Sequence, residues 1–184
     1  MGIALGAYGY GQQRGGPGKR GPRTAPLRMS IPAFADGSAI PTRFTCVAKD
    51  SGESPEVRWN QVPPGMQSFI LLVHDPEAHP GKGTMDVTHW MIWNIPGTVR
   101  GLPQGVPAGD TLPDGAHQVR RGNETAGRYF GPCAPPGPNH HYTWDLYALD
   151  IKLELPATAT RQQVMDAANG HILGAAEWIG LFHR

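Results

Sequence analysis

The chain has 184 residues, 39% hydrophobic and 17% charged, with 25 glycines, 19 prolines and a formal net charge of +1. That length allows one domain with a core that needs no structural metal or disulfide framework, and the near-neutral charge gives no ground for nucleic-acid or membrane-surface binding. Abundant Gly and Pro with few charges favour many short strands joined by turns and long loops over a helical bundle.

The charge is uneven. Residues 1–28 carry Arg14, Lys19, Arg20, Arg23 and Arg28 and no acid. Gly, Gln, Arg and Pro dominate this stretch, which has too little apolar content to offset its ordering entropy and is expected to be a disordered basic tail. The folded domain is expected over 29–184. The opening residues lack a basic segment and an apolar core long enough for a secretory signal, and no apolar run reaches the length of a membrane span. A cytoplasmic location is the expectation. Gly16–Gly21 matches a dinucleotide-binding pattern in letters only, because no strand precedes it and no helix follows.

Three strands stand out further on. Ser68–Val73 is a continuous apolar run, as in a strand buried on both faces. His89–Ile95 is rich in aromatics and is stopped by Pro96-Gly97. In Tyr142–Leu149, Tyr142, Trp144, Leu146 and Ala148 share one face. The connecting segments 74–88 and 96–135 are long and turn-rich, which in a compact domain points to function. Thr160 and Gln163 form a capping box that opens a helix. Val164, Ala167 and Ala168 give that helix its apolar face, and Asn169-Gly170 its stop. Ala176–Phe182 alternates well enough for a last strand. Trp59, Trp90, Met91, Trp93, Trp144 and Trp178 read as core. Cys46 and Cys133 could form one bridge or remain two buried thiols, and a reducing compartment favours the thiols.

Three polar segments lie at strand ends beside Pro- or Gly-rich loops, where rigid strands fix side chains and loops leave room for a ligand. They are Asp75–Pro80, Thr88–Trp90 and Gly131–Tyr142. No Walker loop, no Gly-x-Ser-x-Gly elbow and no Cys-x-x-Cys pair accompanies them. Asn123-Glu-Thr125 is a glycosylation sequon in letters only. His140 and His141 are adjacent in a strand, so their side chains face opposite ways. His140 shares the face of Tyr142 and His141 belongs at the rim. Asp145, inside a strand, is unexplained by the sequence.

These segments resemble the signature blocks of the phosphatidylethanolamine-binding protein family, in its bacterial and archaeal kinase-inhibitor-like branch. The likeness runs from about Ser30 to Arg184 and includes Phe34–Gly37, Phe44–Cys46, Asn94–Pro96, Tyr147–Asp150 and Gly170–Glu177. The resemblance implies a mainly β protein, a two-sheet antiparallel β-sandwich with a few peripheral helices. It also implies an anion pocket with Asp75 as carboxylate, Pro76 shaping it, His89 and His140 as imidazoles and Tyr142 as phenol. Gly131 and Pro132 form part of its wall. The chain departs from the family pattern at Glu77, His79 and His141. The last replaces a permanently charged, forked Arg by a group that titrates near neutrality.

The chemistry of these residues agrees with that implication. Two imidazoles and a phenol offer three convergent donors to an anion in a partly desolvated cleft. Asp75 would repel the anion unless it accepts a hydrogen bond from an imidazole and keeps that ring charged and oriented. The function expected is binding or regulation: recognition of a small anionic or phosphate-bearing ligand such as a phospholipid headgroup, nucleotide or phosphorylated partner. Inhibition of a kinase or protease is what the family name suggests. No catalytic residue, cofactor or metal is assigned, neither nucleic-acid binding nor stable membrane insertion is expected, and a homodimer is left open. Two enzymatic alternatives use the same residues. One is a two-His, one-carboxylate metal site from His89, His140 and Asp75, with Asp86 as a further oxygen. The other is acid–base hydrolysis through an Asp–His pair.

Overall fold

The apolar run beginning at Ser68 forms β4 (Ser68–Asp75), at the centre of the larger sheet. The computed structural model describes residues 26–49 and 52–184. Strand β4 pairs antiparallel with β5 (Val87–Pro96) on one side and β8 (His140–Leu149) on the other. Next to β8 lies β9 (Ile172–Phe182), and the far edges are β2 (Ser38–Ala39) and β7 (His117–Gln118). A smaller sheet contains β1 (Arg28–Ser30), β3 (Val57–Asn60) and β6 (Gly101–Leu102). The antiparallel expectation holds except at one edge, where β2 runs parallel to β9. The two strands are far apart in the chain, so no hairpin dictates their relative direction.

Alternation along β4 divides the core in two. Phe69, Leu71 and Val73 face the smaller sheet and pack with Met29, Trp59 and Trp144. Ile70 and Leu72 face the opposite way, into a cluster with Met91, Trp93, Val164 and Ala168. The last two belong to α1 (Arg161–Ala168), which covers that face. Eight residues make a marginal helix by themselves. Two features stabilise this one: burial of Val164 and Ala168, and the expected capping box. In the box Gln163 N donates to Thr160 Oγ1 (3.3 Å) and Thr160 N donates to Gln163 Oε1 (2.9 Å). The left-handed residue after the helix is Gly170 (φ 87°). Besides α1, the described residues contain short 3-10 turns at Thr42–Phe44 and Pro80–Lys82.

Leu27 and Arg28 fall inside the fold, where composition had assigned them to the tail. Leu27 is buried in the first cluster and Arg28 opens β1. One apolar residue in a polar stretch gives no periodicity to detect. The rest of the expected tail, residues 1–25, lies outside the described residues.

The long segment 96–135 is organised around buried Gln118. Its Oε1 accepts from Trp90 Nε1 (2.7 Å), and its Nε2 donates to the carbonyls of Pro107 and Gly109 (both 2.9 Å) and Gly127 (3.3 Å). Gly127 passes so close that a Cβ there would lie 2.4 Å from the Gln118 carbonyl oxygen.

The two cysteines form a bridge, Cys46–Cys133, with Cα atoms 5.3 Å apart. This departs from the favoured reading of two thiols. The cause is local: Cys46 N donates to Pro132 O (3.0 Å), which already lays the two segments side by side.

Candidate functional site

Asp75 ends β4 on the same face as Val73, and His140 begins β8 on the same face as Tyr142. Antiparallel pairing of the two strands brings them together. Asp75 Oδ2 receives His140 Nδ1 at 2.7 Å, and Asp75 Oδ1 accepts from Glu77 N at 3.0 Å. Asp75 is only 2% exposed. Its imidazole partner, anticipated on electrostatic grounds, is His140.

His89 reaches the same place by an irregularity. Val73 pairs with Trp90 and His74 with Thr88, so His89 stands between them with no partner of its own in β4. Such a bulge re-aims a side chain. Without it, alternation from Trp90 would send His89 to the α1 side. Instead its ring meets Tyr142 edge to face, with centroids 5.1 Å apart. His89 Nδ1 donates to the Phe130 carbonyl at 2.9 Å, which leaves Nε2 for a ligand. Burial pushes the His89 pKa below its ordinary value. The Phe130 carbonyl and the Asp75 charge oppose that shift and the Arg121 charge adds to it.

Tyr142 sits among these groups, with its ring 6.5 Å from that of His140, and is fully buried. Its hydroxyl oxygen accepts from Cys133 N (3.0 Å) and Ala134 N (2.7 Å). Burial, reinforced by the Asp75 charge, pushes its pKa up to about 12. The phenol oxygen therefore fastens the 131–134 loop beneath the site, a role the sequence did not announce. Gly131 and Pro132 are buried in that loop, and Pro76 is exposed in the turn after β4. The disulfide ties the same loop to the 42–46 turn, and Tyr129 Oη donates to the Phe44 carbonyl (2.8 Å).

Beside this cluster His141 Nδ1 pairs with Glu77 Oε1 at 2.6 Å, both side chains well exposed. Two acids two residues apart thus meet two adjacent imidazoles, one pair buried and one at the rim.

A model of the phosphatidylethanolamine-binding protein family matches residues 30–183. This chain belongs to that family. A UPF0098 protein from Methanothermobacter thermautotrophicus is 41% identical over 158 residues, covering 86% of this chain and 99% of the relative. LppC of Mycobacterium tuberculosis, which carries a lipoprotein name, is 36% identical over 163 residues, covering 88% of this chain and 74% of the relative. Among solved structures, the phosphatidylethanolamine-binding protein homolog CT736 of Chlamydia trachomatis superposes with a TM-score of 0.74 at 29% identity, covering 86% of this chain and 98% of that one. Escherichia coli YbcL, described as a member of the mammalian family, gives 0.74 at 28% identity, covering 87% and 99%. These relatives place the chain in the bacterial and archaeal branch of the phosphatidylethanolamine-binding proteins, and membership makes it a ligand-binding protein at the level of the family.

Two charged features of this family member had no clear signal in its sequence. The first is Arg121, whose guanidinium lies 3.6 Å over the Phe130 ring, beside His89. It supplies a permanent charge near His89. The second is a network on the opposite face of the sheet, which accounts for Asp145. His74 Nδ1 meets Asp86 Oδ2 at 2.6 Å and His74 Nε2 meets Asp145 Oδ2 at 2.9 Å. Arg161 of α1 binds Asp86, and also Thr88 Oγ1 at 3.1 Å. Burial opposes charge on His74, but its bonds to Asp145 and Asp86 outweigh burial and hold its pKa above the ordinary value. Burial likewise opposes ionisation of Asp86, and Arg161 and His74 overcome it. Asp86 is therefore engaged with His74 and Arg161, away from Asp75 and His140, and does not add the optional further oxygen to the metal alternative.

Proposed function

We propose that this protein holds a small anionic, phosphate-bearing group between the imidazoles of His89 and His140, as a binding or regulatory protein that makes and breaks no bond. One observation carries the reading. Each ring is anchored through Nδ1, His140 by Asp75 at 2.7 Å and His89 by the Phe130 carbonyl at 2.9 Å, so each keeps Nε2 for a ligand. Asp75 holds the His140 ring in orientation through Nδ1. His89, held toward its neutral form by burial, presents an acceptor suited to the proton of a hydrogen phosphate or of a phosphomonoester monoanion. The ligand classes in view are a phospholipid headgroup, a nucleotide or a phosphorylated partner, and regulation of a kinase or protease is the activity we attach to the binding. Calorimetric titration with inorganic phosphate at pH 5.5 and pH 8 tests the site. Affinity should fall at the higher pH, where phosphate is the dianion and has fewer protons to offer His89, and equal affinities would sink the reading.

A metal-dependent reading is favoured by one observation. One donor atom from each of Asp75, Glu77 and His140 lies within 4.8 Å of the others. Glu77 here stands in for the His89 of the sequence-derived set, and a mixed carboxylate–imidazole set suits a divalent transition metal. Metal analysis before and after chelation decides it, with stoichiometric zinc or iron lost together with a hydrolytic activity as the supporting result.

We also place the protein in an oxidising compartment, in preference to the cytoplasm expected from its first residues. The Cys46–Cys133 bridge supports this, because such bridges persist where thiols are not kept reduced. Thiol trapping in intact cells tests it, and alkylation of both cysteines before any reductant is added would refute it.

A further inference from the structure

The cleft that opens beside His89 has a volume of about 630 Å3, within the roughly 300–1,000 Å3 of small-molecule sites. Four arginines line it, Arg120, Arg121, Arg128 and Arg161, with two carboxylates, Asp86 and Glu124. Three of the arginines are matched to acids: Arg120 to Asp110, Arg128 to Glu124 and Arg161 to Asp86. The Arg121 side chain forms neither an ion pair nor a hydrogen bond among the described residues, and it is half-buried over the Phe130 ring. Phe130 is also the residue whose carbonyl orients His89. A single residue thus anchors the imidazole on one side and the guanidinium on the other. Stacking pre-organises an arginine fork, so less freedom is lost when it binds an oxyanion. Val87, Trp90 and Val119 give the same cleft apolar surface.

We propose that Arg121 is a second anion subsite, and that the ligand is a small molecule with two negatively charged groups joined by a short carbon spacer. One group sits at the imidazoles, the spacer lies on the apolar floor, and the other group meets the guanidinium. This rests on the anion reading of His89 and His140 given above. A free inorganic phosphate would leave most of the cleft unused, and the unmatched cation is where the second charge belongs.

The test is calorimetry at constant salt with propyl phosphate and with a series of alkanediol bisphosphates of increasing spacer length. It is run on the wild-type protein and on Arg121→Gln, Arg121→Lys and the control Arg120→Gln. The best bisphosphate should bind wild type at least about tenfold tighter than propyl phosphate. Arg121→Gln should abolish that advantage while leaving propyl phosphate within about threefold. Arg121→Lys should keep part of the advantage, and Arg120→Gln all of it. If propyl phosphate binds and no bisphosphate binds better, the second subsite is wrong and the anion reading stands. Equal weakening of both probes by Arg121→Gln also overturns it, because Arg121 would then belong to the single anion site. If neither probe binds wild type, the anion reading itself falls.

Discussion

His74 and Asp75 are neighbours in β4, yet they belong to separate charge clusters on opposite faces of the larger sheet. Asp75 holds His140 in the candidate site at 2.7 Å, and His74 bridges Asp86 and Asp145 under α1. Strand alternation separates them. One cluster is built for a ligand, because its imidazoles keep a free nitrogen. The other is closed, because both ring nitrogens of His74 are occupied.

The closed cluster should behave as a structural clamp. His74→Asn removes a mostly buried cation from between two carboxylates and should cost on the order of 2–3 kcal/mol. The folded pKa of His74 lies above its unfolded value, so its contribution is fully present below the unfolded pKa, about 6.5, and is lost as pH rises through the raised folded value. Urea denaturation should therefore show a variant deficit that is largest near pH 5.5 and shrinks at higher pH. A deficit that grows with pH would mean His74 is not charged in the fold.

Asp75→Asn should weaken phosphate binding without unfolding the protein. The amide keeps the size of the carboxylate and can still accept from Glu77 N, but it no longer offers His140 Nδ1 an anionic acceptor. Loss of one charge-assisted contact predicts roughly a tenfold fall in affinity. Calorimetry with inorganic phosphate checks this, and thermal denaturation separates it from unfolding.

Replacing both Cys46 and Cys133 by Ser should destabilise the protein and loosen the loop under the site. The bridge spans 87 residues, for which loop-closure entropy gives a ceiling of about 4–5 kcal/mol. A lower urea midpoint and a weaker phosphate affinity are expected together, because Cys133 N is one of the two donors that seat the Tyr142 hydroxyl. Thiol titration of the denatured, unreduced protein should find no free thiol.

Gln118→Leu tests whether the 96–135 segment depends on one side chain. The substitution leaves Trp90 Nε1 and three loop carbonyls without their partner. Unsatisfied buried groups cost about 1–3 kcal/mol each where water cannot reach them, so a loss of several kcal/mol in urea denaturation is expected. A loss under about 1 kcal/mol would show that the loop holds itself.

Features carried by neighbouring residues were legible in the chain. The apolar run of β4, the one-faced pattern from Tyr142 to Ala148 and the Thr160–Gln163 box depend on periods and offsets of a few residues. The ordered blocks around Asp75, His89 and His140 were enough to expect the family and its two-sheet fold. Their limits were less clear: β5 begins at Val87, β9 begins at Ile172, and Leu27 lies in the core. Strand ends and a lone buried residue leave no periodic trace.

Other features depend on which segments meet. His89 faces Tyr142 because β5 gains one residue against β4, a register event set by pairing and invisible in either strand alone. The same holds for the choice of a bridge over two thiols, for the partners of Asp145, and for Arg121 over Phe130 nine residues later. The chain by itself determined its element types, its family and the residues able to do the chemistry, because these follow from side-chain identity and local spacing. Only the tertiary structure decided which nitrogen of each imidazole stays free and which cation stays unmatched, because both depend on distances between groups remote in sequence.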